Sequence, residues 1–203
     1  MKTGEEKNIA KEPDISYEGR YSYADYLTWQ LDETVEIIKG RLFKMTAAPI
    51  RIHQKVATKL TYILYGFLEG RLCEVYSAPF DVRLPKTSVR DEDIYTVVQP
   101  DICVICDKNK LDDAGCIGAP DLIMEILSPG NNKKELKNKY EVYQESGVRE
   151  YWIIHPNEQT LMIYSLNDGH FVPSRLFTSG DIVTSEALPG FSLDLEDFFK
   201  DMD

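Results

Sequence analysis

The chain has 203 residues, 43% hydrophobic and 28% charged, enough for one domain with a substantial core. Its 23 Lys and Arg against 34 Asp and Glu leave a formal net charge of −11, which excludes a generally basic nucleic-acid coat whose affinity comes from counterion release. No run approaches the roughly 20 apolar residues of a membrane span, and residues 1–16 lack the apolar stretch of a signal peptide, so cytoplasmic residence is expected.

Residues 1–16 read as a disordered lead, rich in Lys, Glu and Pro with little to bury, and 17–203 as a single domain. Ser22, with Asp25 in the capping-box position, predicts a short helix through about Gln30. Val35–Ile38 and Arg41–Met45 read as two strands about a Lys39-Gly40 turn. From His53, the apolar positions Val56, Leu60, Ile63, Leu64 and Phe67 recur at helical spacing, and Gly70 ends the element. Cys73–Leu84 and Val97–Cys106 are β-rich around a polar loop, and residues 107–119 read as a second loop.

Pro120–Leu127 is almost continuously apolar, as in a strand buried on both faces. Asn132 and Glu135 form a capping-box-like start to a helix closed by Gly147. Tyr151–Ile154 returns as a strand, and the remainder suggests antiparallel additions. The class is mixed α/β.

The cysteines at Cys73, Cys103, Cys106 and Cys116 are expected to be free thiols in a reducing compartment. Cys103-x-x-Cys106 has zinc-like spacing, but it lies in a β-branched run where positions three apart face opposite ways.

Acids inside apolar strands are the informative feature, because a buried carboxylate is costly unless paired, protonated or metal-bound. Asp101 and Glu125 both have apolar flanks, and on neighbouring strands they can meet. Asp121 is the weaker partner for Glu125, since four residues of strand put their backbones roughly 13 Å apart. On the following helix, Leu136, Tyr140 and Tyr143 form an apolar stripe bordered by Lys139. Two acids and a lysine are the inventory for metal-assisted phosphodiester hydrolysis, with carboxylates holding Mg²⁺ and a lysine orienting water or stabilising developing charge. The same three residues also suit a purely structural cluster. Glu36 reads first as a solvent-facing strand residue and His53 as a helix cap or surface residue. The sequence contains no G-x-S-x-G, Walker, G-x-G-x-x-G or H-E-x-x-H motif.

Val35-Glu-Ile-Ile-Lys-Gly-Arg-Leu, His53, Gln99-Pro-Asp-Ile, Asp121-Leu-Ile-Met-Glu-Ile-Leu-Ser-Pro and Lys139-x-x-x-Tyr143-x-x-x-Gly-Val-Arg-Glu-Tyr-Trp-Ile-Ile occur in the order seen in a known family. The chain resembles the Uma-type restriction endonucleases of the PD-(D/E)XK nuclease superfamily over about residues 21–197. The resemblance implies a restriction-endonuclease-like core with a central mixed β-sheet flanked by helices. It implies a DNA endonuclease using Mg²⁺, with Mn²⁺ as substitute, held by Asp101 and Glu125. Leu127 stands where the superfamily's lysine usually lies, and Lys139 matches a lysine shifted to the next helix. Glu36 and His53 match a further acid and a histidine of the family. Lys133, Lys134, Lys137 and Arg149 are candidate phosphate contacts, and cutting both strands implies a homodimer. The rival readings are an inactive nuclease-fold binding module and a nuclease acting on RNA or another phosphodiester.

Overall fold

The structure, a computed structural model, describes residues 19–30, 34–44, 50–128 and 133–202. The expected lead, 1–16, lies outside them, as do Met45 and the side chains of 131–135 on which the capping reading of Asn132 and Glu135 rests.

The N-terminal helix is α1 (Tyr23–Tyr26), shorter than expected but opened by the Ser22–Asp25 capping box. The hairpin β1 (Val35–Ile38) and β2 (Arg41–Lys44) follows, then the long helix α2 (Arg51–Leu68). The two β-rich segments each break in the middle. Cys73–Leu84 divides into β3 (Glu74–Ser77) and β4 (Val82–Arg83), and Val97–Cys106 into β5 (Val97–Val98) and β6 (Ile102–Ile105). Pro79 and Pro100 stand at the breaks, where a residue without an N–H cannot continue a ladder. The chain there steps from one sheet to another.

The loop expected over 107–119 instead contains a hairpin, β7 (Leu111–Asp112) and β8 (Gly115–Ile117). Gly115 allows it: its φ of +127° suits glycine, and a Cβ there would lie 2.2 Å from the Asp81 carbonyl oxygen. Beyond it lie β9 (Leu122–Ile126), α3 (Lys133–Ser146), β10 (Glu150–His155), β11 (Thr160–Asn167), β12 (His170–Pro173) and β13 (Phe177–Thr178). β14 (Ile182–Thr184), β15 (Ser192–Asp194) and α4 (Leu195–Phe199) complete the chain.

The main sheet runs β12-β11-β10-β9-β6-β3, with β13 also paired to β11. Among the described strands of this sheet only β9 and β10 are parallel, joined across α3. A second sheet runs β2-β1-β5-β4-β8-β7, and β14 pairs with β15. Alternation along β9 explains the cores on the two faces of the main sheet. Leu122, Met124 and Ile126 pack with Val56, Leu60 and Leu64 of α2, whereas Ile123 packs with Val142 and Tyr143 of α3 and Val82 and Val98 of the second sheet. Glu125 therefore falls on the α3 face.

Cys103 and Cys116 are buried free thiols, as expected. Cys73 and Cys106 are instead joined in a disulfide. The antiparallel register that pairs Glu74 with Ile105 sets Cys73 opposite Cys106 at the next position, a relation invisible in the Cys103-x-x-Cys106 spacing. Among the described residues no helix is long and apolar enough to cross a membrane.

Candidate active site

Register brings the two strand acids together. β6 and β9 are antiparallel with Ile102 opposite Met124, so Asp101, just before β6, stands opposite Glu125. Asp101 is half-buried at the crossover between the sheets. Its Oδ2 accepts the Ile126 N–H at 2.7 Å, and its Oδ1 lies 3.2 Å from His53 Nε2 in the first turn of α2.

Glu125 meets α3. Its Oε1 accepts from Lys139 Nζ at 3.0 Å and from the Tyr143 hydroxyl at 2.7 Å. Lys139 Nζ is also 3.0 Å from Glu36 Oε1, which accepts the Gln99 N–H at 2.8 Å. Glu36 is 1% exposed, so the solvent-facing reading of it is corrected. β1 lies between β2 and β5, and Glu36 points at the helix rather than at water. Lys139 is not a border residue either: at 3% exposure it shares the buried face of α3 with Val142 and Tyr143, while Leu136 and Tyr140 are only half-buried. The helix is rolled toward residues 139, 142 and 143.

Burial dominates the electrostatics. It pushes the Glu125 carboxyl up to about 8, assisted by the negative fields of Asp101 and Glu36 and opposed by Lys139 and the Tyr143 hydrogen bond. Lys139 is held well above the usual lysine range by its two carboxylates, which outweigh its own desolvation. Burial first, and then Glu125 and Glu36, drive the Tyr143 hydroxyl far upward, leaving it a proton donor.

The donor set suits a hard cation in kind. Mg²⁺ commonly binds through one or two carboxylates while keeping waters and taking substrate phosphate oxygens. Asp101 and Glu125, opposite each other in the strand register, are such a pair, and the field of one acid on the other places them within electrostatic reach. Among the described residues no three His, Cys, Asp or Glu side chains form a closed metal cage.

Other charged candidates lie elsewhere. Asp121 accepts the Cys106 N–H at 2.8 Å and pairs with Arg149 at 3.2 Å, at the opposite end of β9 from Glu125. Arg149 is thus a partner of Asp121, not a neighbour of the acid pair. Lys137 is exposed and sits 3.9 Å from Glu141. Three residues of the setting were given no role at the site in advance: Gln99, quoted only within a motif, whose N–H holds Glu36; Tyr143, placed as core but also a donor to Glu125; and Asp81. Asp81 accepts the Gln99 side-chain amide at 2.7 Å and is raised chiefly by burial.

Residues 23–196 match the family Uma2, described as "Putative restriction endonuclease". An uncharacterized protein of Synechocystis sp. is 23% identical over 163 residues, covering 79% of this chain and 81% of the relative. A crystal structure of a "putative nuclease belonging to DUF820" from Anabaena variabilis shares the fold, with a TM-score of 0.70 at 18% identity over 88% of this chain and 97% of that one.

Proposed function

The chain belongs to the Uma2 restriction-endonuclease family, and from that premise we propose that it hydrolyses DNA phosphodiester bonds in a reaction dependent on Mg²⁺, with Mn²⁺ as substitute. The observation that carries the reading is the convergence of residues from distant parts of the chain: the Glu36–Lys139–Glu125 cluster, and the His53–Asp101 pair tied to the same strand through the Ile126 N–H. A fold needs no such polar concentration in its interior, where each charge is costly to desolvate.

Asp101 and Glu125 would hold the metal, with Glu36 beside them; the chemistry it would supply is polarisation of the phosphoryl oxygen and a lowered pKa for an attacking water. Lys139 provides a buried ammonium whose attraction to developing negative charge is strengthened by the low-dielectric surroundings. Tyr143 and Lys139 fix the orientation of Glu125, and the Ile126 N–H and His53 fix that of Asp101. The cytoplasmic placement and a homodimer with one site per DNA strand belong to the same reading.

One observation favours an inactive binding module: Lys139 already lies between Glu36 and Glu125 as their counter-ion. Calorimetric titration of Mg²⁺ and Mn²⁺ into the wild type, Asp101→Asn and Glu125→Gln separates the two, read beside cleavage of plasmid DNA and RNA. Asp101→Asn keeps an oxygen to accept the Ile126 N–H. The endonuclease reading expects metal binding and DNA cleavage in the wild type and loss of both in the variants. Cleavage that survives in both variants overturns the assignment, and RNA cleavage without DNA cleavage overturns the substrate.

A further inference from the structure

An open groove of about 410 Å³ runs along the outer face of α2, with His53 and Asp101 among its lining residues. Further along the helix it is flanked by Tyr62 and Tyr65, which are 77% and 65% exposed. The core does not need these rings, since the buried stripe of α2 is formed by Val56, Leu60, Leu64 and Leu68. Three residues apart, the two tyrosines share one helix face. At 1.5 Å per residue they lie about 14 and 18 Å along the axis from His53, the length of about four to five stacked nucleotides at 3.4 Å each.

Two of the residues that line the groove carry buried polar atoms with no partner among the described residues. Among its lining residues, His53 Nδ1 and Thr61 Oγ1 are buried with no hydrogen-bond partner, although His53 as a whole is 7% exposed and engages Asp101 through its other nitrogen. Among the described residues the first turn of α2 has neither a side-chain cap nor an acid, which leaves its N–H groups suited to an anion. None of the lining residues is Lys or Arg. A duplex, with paired bases inside and phosphates outside, is gripped mainly through such cations. Cations commonly assist the binding of a single strand as well, but only an unpaired strand can spread its bases on aromatic rings, and the rings are what this groove supplies.

We propose that this groove holds an unpaired nucleic-acid strand, its bases stacked on Tyr62 and Tyr65 and its backbone led to the phosphodiester at Asp101. The inference rests on the nuclease reading and adds to it a preference for single-stranded segments, flaps and frayed ends.

The test uses the full chain in EDTA and fluorescence anisotropy with a labelled unpaired oligonucleotide and its blunt duplex. The variant Tyr62→Ala/Tyr65→Ala should weaken oligonucleotide binding at least about tenfold, the scale of losing one base–aromatic stack. Duplex binding should stay within about twofold, because its bases are already stacked on one another. Tyr62→Phe/Tyr65→Phe should bind the oligonucleotide as the wild type does, since the ring is kept. Unchanged binding in the alanine variant, failure of the phenylalanine variant to retain it, or wild-type preference for duplex overturns the groove. Cleavage in Mg²⁺ separates this failure from that of the nuclease reading. Equal cleavage of a flap and a blunt duplex by the wild type and the alanine variant removes the groove and leaves the nuclease. Tyrosine-dependent binding without cleavage of any nucleic acid supports the groove and removes the nuclease.

Discussion

Replacing Lys139 with Met removes one ammonium and keeps most of the volume, leaving Glu36 and Glu125 around a buried apolar chain. Each ion-pair contact of 3.0 Å is worth about 5.5 kcal/mol at an effective dielectric of about 20, before the cost of desolvating the charges is set against it. The net loss is better bounded by the protein's escape route, which is to protonate the acids. Burial and the neighbouring acids already push Glu125 toward its neutral form, so without the ammonium the folded variant takes up about one proton that the wild type does not hold. Holding a proton on a carboxyl of ordinary pKa about 4.3 costs about 3.7 kcal/mol at pH 7 and about 1 kcal/mol at pH 5. The sign follows: the variant binds more protons folded than unfolded, so its deficit grows as pH rises from about 4 to 7. Urea unfolding of wild type and Lys139→Met at pH 5, 6 and 7 should show the difference widening toward about 3–4 kcal/mol, and Glu36→Gln/Lys139→Met should recover about 2 kcal/mol or more of it. A deficit below about 1 kcal/mol at pH 7, or one that ignores pH, would refute the view that the ammonium compensates two buried acids.

Glu150 offers a contrast, since its carboxylate accepts from Trp152 Nε1, the Ser185 hydroxyl and the Ala187 N–H. Glu150→Ala should cost about 3 kcal/mol or more in urea unfolding, by leaving these buried donors without an acceptor, and should leave Mg²⁺ affinity unchanged. Burial pushes the Cys116 thiol up to about 11 and Cys103 well above the ordinary thiol range. Iodoacetamide at pH 8 should therefore label no cysteine in the native protein, two after unfolding and all four after reduction. Because the folded thiols keep their protons longer than unfolded ones of pKa about 8.5, stability should fall as pH rises from about 8.5 toward 11. Gly115→Ala should destabilise by about 1–3 kcal/mol, because its Cβ would press on the Asp81 carbonyl; a thermal midpoint equal to the wild type would contradict the close approach.

Strand acids were legible in the sequence because desolvation is severe enough to make an acid among apolar neighbours a statement about its surroundings. Asp101 and Glu125 were found in this way, and strand rise alone separated Glu125 from Asp121. Glu36 has the same flanks but sits in a four-residue hairpin strand, which can face water as readily as a helix. Only the pairing of β1 between β2 and β5 and the approach of Lys139 decide its burial. Lys139 was placed on the correct side of α3 but at the margin of its stripe, because the strongly apolar Leu136 and Tyr140 drew the expected face away from residues 139, 142 and 143. The second sheet was hardly legible. Its strands β4, β5 and β7 are two residues long, too short for alternation to register, and their pairing depends on the turns at Pro79, Pro100 and Gly115.

The same pattern rule should also have selected Glu150, which precedes Tyr151-Trp-Ile-Ile and is 1% exposed. Burial of an acid therefore does not by itself point to chemistry. Partners make the difference. Glu150 gives both oxygens to neutral donors, and Ser185 and Ala187 come from the chain between β14 and β15, so the acid ties that segment to the main sheet. Glu125 meets a lysine, a phenol and the field of a second acid, an arrangement whose proton balance changes as soon as a cation or a phosphate enters. A structural anchor is most stable when its hydrogen-bonding capacity is filled by groups that do not titrate. A reactive cluster must hold charges that can be redistributed, and the Glu36–Lys139–Glu125 contacts meet that requirement while those of Glu150 do not.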